Sequence, residues 1–153
     1  MKTAVVYYSY EGNCAFVAEQ IKPVLNADLL RLETVSKNGF FVFIRSLLTG
    51  KKPALKPHGF EPSNYDLIVL GAPVWAFSPA SAMQSFLSET KINGKKIALF
   101  LCHGGSMKKA MDKFKKILDG NTIVSEIDFN SPAKNDSEKQ KERIDDWANS
   151  LKQ

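Results

Sequence analysis

Thr3-Ala4-Val5-Val6-Tyr7-Tyr8-Ser9-Tyr10-Glu11-Gly12-Asn13-Cys14 is the stretch on which the fold turns. An apolar, β-branched run passes into a short Ser/Gly/Asn turn, and apolar residues at helical spacing follow at once. Strand, turn and helix start so close together place free backbone N–H groups and the positive end of a helix dipole at one spot. That arrangement suits an anion, with phosphate the natural occupant. The turn has neither the lysine nor the spacing of G-x-x-x-x-G-K-[ST], and it has no G-x-G-x-x-G. Taken alone, it is equally a plain strand–turn–helix capped by Gly12 or Asn13.

Working outward, four further segments read as strands. Asp28–Glu33 is short and mixed. Asp66–Gly71 and Lys96–Cys102 are continuous apolar runs, the pattern of central parallel strands covered on both faces. Thr122–Phe129 alternates and is placed nearer an edge. Helical spacing fills the gaps: Val17, Ile21, Val24 and Leu25; Met83, Phe86 and Leu87; Met107, Met111, Phe114 and Leu118; Ile144, Trp147 and Leu151. These stripes face a core. Between Ser36 and Asn64, Phe40, Phe43, Ile44, Leu47 and Leu48 predict a helix stopped by Gly50, and Pro53, Pro57 and Pro62 then forbid regular structure. The β-α-β-α order calls for an α/β fold with a parallel sheet and helices on both faces.

The chain has 153 residues, enough for one domain with a real core, and residues 1–153 are read as that single domain. Hydrophobic content of 44% and charged content of 24% are ordinary for a soluble globular protein. No run approaches the roughly 18–20 apolar residues of a membrane span. The first strand starts too early to leave room for a signal peptide, so a cytoplasmic location and no membrane insertion are expected. Cys14 and Cys102 fit no zinc or C-x-x-C spacing, so no metal is expected. If a strand separates theirs in the sheet, they start roughly 9–10 Å apart, beyond the about 7 Å that a disulfide tolerates, and both are read as reduced. The net charge of +5 is spread over paired lysines without interleaved aromatics, which argues against nucleic acid and for solvated faces.

Ligands of open α/β sheets bind beyond the carboxyl ends of the strands. Three such ends are loaded here: Ser9–Cys14; Gly71-Ala72-Pro73-Val74-Trp75-Ala76-Phe77; and Cys102-His103-Gly104-Gly105-Ser106. An anion loop, an aromatic loop and a glycine-rich loop suit a flat aromatic ligand with a phosphate tail. Trp75 sits between prolines in a loop, which favours a stacking surface over a core position. A loop histidine such as His103 is either a solvated bystander or a functional group, and both readings stand; His58, in the proline-rich connection, is given no role.

Over essentially the whole chain this order of elements and motifs resembles the flavodoxin-like family. The resemblance implies a doubly wound five-stranded parallel sheet of order 2-1-3-4-5 and FMN as cofactor. It also implies that Ser9, Tyr10, Glu11, Gly12, Asn13 and Cys14 hold the phosphate. Ala72, Pro73, Val74, Trp75, Ala76 and Phe77 would then set Trp75 against the isoalloxazine ring, and Cys102, His103, Gly104 and Gly105 would bind its pyrimidine end. No residue is expected to be catalytic in itself.

Family loops usually carry threonines where this chain has Glu11 and Cys14, and often a second aromatic where it has Ser106 and Met107. Glycine commonly follows the stacking aromatic; here Ala76 does, a residue expected to resist positive φ. Two functions follow from the resemblance. One is an electron carrier between redox partner proteins. The other is an FMN-dependent oxidoreductase passing hydride from NAD(P)H to a quinone or similar acceptor. The short chain favours the carrier; the missing glycine and the basic surface favour the enzyme.

Overall fold

The computed structural model describes residues 1–105 and 107–153. Ser106, the last residue of the glycine-rich stretch, lies outside the described residues. In chain order the elements are β1 (Thr3–Tyr7), α1 (Asn13–Leu25), β2 (Asp28–Arg31), α2 (Gly39–Thr49), β3 (Leu67–Trp75), β4 (Ser78–Pro79), α3 (Ser81–Glu89), β5 (Lys96–His103), α4 (Lys108–Ile117), β6 (Thr122–Asn130) and α5 (Ser137–Ser150). A single 3-10 turn at Pro62–Asn64 precedes β3.

The sheet runs β2-β1-β3-β5-β6, all parallel, with β4 added antiparallel to the end of β3. Without β4 this is the expected order 2-1-3-4-5. β4 is the one strand that the sequence does not signal. β3 does not stop at Gly71 but continues to Trp75 and folds back, so most of the expected aromatic loop is strand and hairpin.

Alternation along the central strands divides the core in two. Val5, Tyr7, Leu67, Val69, Ala98 and Phe100 face α1 and α5, where Val17, Ile21, Ile144 and Trp147 meet them. Val6, Tyr8, Ile68, Leu70, Leu99 and Leu101 face α3 and α4, where Met83, Phe86, Met111 and Phe114 meet them. Both sides of β1 and β3 are therefore apolar, as a strand covered by helices on both faces requires. At the edge, β6 alternates between exposed and half-buried residues from Thr122 to Ile127, and Phe129 is buried.

Helix ends follow local chemistry. Asn26 closes α1 in the left-handed region (φ 48°), and its N–H bonds the Lys22 carbonyl. Gly50 does the same for α2 at φ 65°, as expected from its position.

Gly71 is required by packing. It pairs across the sheet with Phe100, and a Cβ at Gly71 would fall 1.9 Å from the Phe100 ring. Phe100 is fully buried and cannot swing aside. Gly71→Ala should therefore cost about 1–3 kcal/mol in urea unfolding, the usual penalty of overpacking. Combined with Phe100→Leu, the loss should be smaller than the two single losses added.

Candidate functional site

At the carboxyl edge of the sheet a cleft of about 260 Å³ opens between the ends of β1, β3, β5 and β6. It is lined by Ser9, Tyr10, Glu11, Asn13 and Cys14 from the first loop, Pro73, Val74 and Trp75 from the second, and Cys102, His103 and Gly104 from the third. The three stretches singled out in the sequence thus meet in one place. Ser131, just past β6, completes the lining. Sequence reasoning missed it, although the rule that pointed to the other strand ends points equally to the end of β6.

The β1–α1 turn is built for an anion. Gly12 caps α1 with φ 96°, a conformation open to glycine and costly for other residues, and it brings no side chain of its own to the helix start. A Cβ at Gly12 would meet no atom within 4 Å, so the residue is chosen for its backbone and not for close packing. The buried Ser9 hydroxyl accepts the Ala15 N–H at 3.2 Å and keeps its own proton to donate. Among the described residues, the Asn13 and Cys14 amides have no acceptor. Asn13 Oδ1 accepts the Ala133 N–H at 3.1 Å, tying the helix start to the turn after β6. Arg31 donates to the Ser9 carbonyl at 3.3 Å, bringing a cation to the loop. Glu11, unexpected beside an anion, reaches Lys134 at 3.5 Å.

Trp75 forms one wall, half-buried and boxed by three rings near right angles to it. Tyr8 stands at 5.5 Å, Tyr10 at 6.0 Å and Phe43 at 5.4 Å between centroids. A second cleft of about 260 Å³ lies on its α2 side, lined by Phe43, Leu47, Trp75 and Ala76 among others. Ala72 is buried in the core below, and Phe77 projects to solvent with the Lys109 ammonium 5.9 Å from its ring. Neither of these two lines the first cleft, and nor do Gly12, Ala76 or Gly105.

Trp75 and Ser78 pair across a two-residue loop formed by Ala76 and Phe77. Both loop residues have positive φ, 48° and 60°. This is the hand required of a tight hairpin turn, normally met by Asn-Gly. Ala76, which resists positive φ, is nonetheless held there by hairpin closure, at about 1–2 kcal/mol for each residue.

His103 organises the third loop. Its Nδ1 accepts the Gly105 N–H at 3.1 Å, so the other ring nitrogen carries the proton and Nε2 donates to Asp128 at 2.8 Å. The Ser131 N–H in turn donates to the His103 carbonyl.

Cys14 and Cys102 are both free and buried, and their thiols are near enough that Cys102 raises the pKa of Cys14. Both are free, as the reduced reading expects, and Cys14 comes near Cys102 because α1 packs across β1 and β3 and reaches β5. Burial, and then the neighbouring thiol, push the Cys14 thiol well above its ordinary range.

Residues 47–151 match the family model described as Flavodoxin, and the chain belongs to that family. Among solved structures it is similar to a flavoprotein from Lactobacillus acidophilus NCFM, determined in complex with FMN. The two share 23% identity over 89% of this chain and 97% of that one, with a TM-score of 0.73. It is also similar to oxidised flavodoxin 2 from Bacillus cereus (21% identity, 97% and 95% covered, TM-score 0.63). Two-electron reduced flavodoxin from Megasphaera elsdenii is a third (21% identity, 97% and 98% covered, TM-score 0.61). No curated protein sequence matches. Among the described residues no helix is long and apolar enough to cross a membrane.

Two outcomes test this geometry. Ala76→Gly should relieve backbone strain and raise stability by about 1 kcal/mol, a Tm gain of roughly 2–4 °C in a thermal scan. Cys14 should resist iodoacetamide in the folded protein at mildly alkaline pH and react once urea unfolds the chain, because only the thiolate is reactive.

Proposed function

We propose that this chain binds FMN in the cleft at the carboxyl edge of the sheet and carries electrons between redox partner proteins. The observation that carries the reading is the start of α1. A left-handed glycine, the free amides of Asn13 and Cys14 and a buried serine hydroxyl with its own proton still to donate converge on one point. The donor set fits a phosphate: the Asn13 and Cys14 amides, the Ser9 hydroxyl and the helix dipole. Trp75 and Tyr10 would flank a flat ring, and the third loop, held by His103, would offer backbone groups at Cys102 and Gly104. When bound, FMN supplies reversible one- and two-electron chemistry.

The protein's part is to bind, orient and shield. Ser9 and the α1 amides fix the phosphate, the aromatic box around Trp75 excludes water from one side of the cleft, and Arg31 offsets anionic charge. The modest size of the cleft supports a carrier over an enzyme, since a dinucleotide needs a site of its own beside the flavin. The reductase reading rests on the second cleft beside Trp75, which is large enough for a small acceptor.

Calorimetry on the purified protein should show FMN binding about a hundredfold or more tighter than riboflavin, the worth of two charge-assisted hydrogen bonds to the phosphate. Ser9→Ala should narrow that gap, and Trp75→Ala should weaken both flavins by about three- to tenfold. Equal affinity for FMN and riboflavin would remove the phosphate assignment. With FMN bound, the protein should reduce a heme protein once it is itself reduced, and it should not consume NADPH in the presence of a quinone. Steady NADPH oxidation would replace the carrier with the reductase.

A further inference from the structure

We propose that the outward face of α2 is an interfacial anchor that docks this protein on an anionic lipid surface. The helix, Gly39-Phe40-Phe41-Val42-Phe43-Ile44-Arg45-Ser46-Leu47-Leu48-Thr49, buries only Gly39 and Val42. Phe43 leans on Trp75, and that flank holds the helix to the protein. On the other side, Phe40, Phe41, Leu47 and Leu48 are 62%, 55%, 57% and 78% exposed. With the half-buried Ile44 they fall at i, i+1, i+4, i+7 and i+8, one continuous apolar stripe. A stripe at this spacing ordinarily faces a core; this one faces solvent.

Charge identifies the occupant. Residues 34–60 carry Lys37, Arg45, Lys51, Lys52 and Lys56 and not one carboxylate. These five account for the whole net charge of +5, since the other 16 basic residues are equalled by the 16 acidic ones. Lys56 is paired with Glu33; Lys37, Arg45, Lys51 and Lys52 have no acidic partner among the described residues. A second copy would bring the same cations against themselves. The ridge is also small for a protein interface. Eleven helical residues span about 16 Å, whereas a stable complex buries about 800 Å² on each partner.

A bilayer surface needs no matching groove. Phenylalanine and leucine enter the headgroup–acyl boundary, while flanking lysine and arginine extend to lipid phosphates. The helix lies on the surface and spans nothing.

The test uses the full chain and does not depend on the cofactor. The protein should float with vesicles of phosphatidylcholine mixed with phosphatidylglycerol, and stay behind with phosphatidylcholine alone. Lys51→Gln with Lys52→Gln should weaken partitioning by about thirtyfold, at the usual worth of a cation near such a surface. Phe40→Ser with Leu48→Ser should weaken it by at least about tenfold. Both pairs lie outside the cofactor cleft, so FMN affinity should be unchanged, which also reports that they fold. Equal binding to neutral vesicles, indifference to the serine pair, or no binding to either vesicle would overturn the proposal. So would a dimer in sedimentation velocity that the serine pair dissolves. Retention on immobilised polyglutamate without vesicle binding would assign the ridge to an acidic protein instead.

Discussion

Parallel pairing of β1 with β3, from Thr3 opposite Leu67 to Tyr7 opposite Gly71, sets the height at which everything functional leaves the sheet. Parallel strands release their carboxyl ends on one edge. Because β1 and β3 are neighbours in register, the anion turn after Tyr8 and the segment after Gly71 emerge side by side. The pairing of β3 with β5, Pro73 opposite Cys102, brings the third loop level with them. A slip of one residue would turn Val5 and Val6 to the wrong layers and separate the loops, so the same apolar alternation that builds the two cores also assembles the cleft.

That arrangement concentrates cost at the edge of the sheet. Ala76 and Phe77 hold a left-handed turn without glycine, two buried thiols lie near each other, and the helix start of α1 keeps amides unpaired. Each is a departure from what a chain selected for stability alone would choose. All three border the same cleft or the tryptophan that walls it, which is where stored strain and unpaired donors are expected to gather.

The surface near this edge is uneven in charge. Outside residues 34–60 the chain is electrically neutral overall, while the α2 segment is basic and apolar at once. Since Phe43 of α2 touches Trp75, whatever contacts α2 is one side chain away from the wall of the cleft. The two features are therefore mechanically adjacent even though their ligands differ in chemistry.

Much of this was legible in the linear chain. Central parallel strands are apolar on both faces, so Asp66–Gly71 and Lys96–Cys102 announced themselves, and the Ser9–Cys14 turn placed itself by following directly on the first strand. Helix stops at Gly50 and core stripes such as Met111, Phe114 and Leu118 are equally local signals. What only the tertiary structure decided depends on contacts between distant segments. The Ala76–Phe77 turn carries no turn chemistry and exists because Trp75 and Ser78 must pair. Cys14 comes near Cys102 because a helix crosses strands that sheet spacing alone would keep apart. Ser131 joins the cleft through the pairing of β6 with β5, and Gly71 is irreplaceable only because Phe100 lies beside it. The stripe on α2 shows the same limit: periodicity records which residues share a face, but whether that face meets a core or solvent is settled by how many partners the rest of the chain can bring to it.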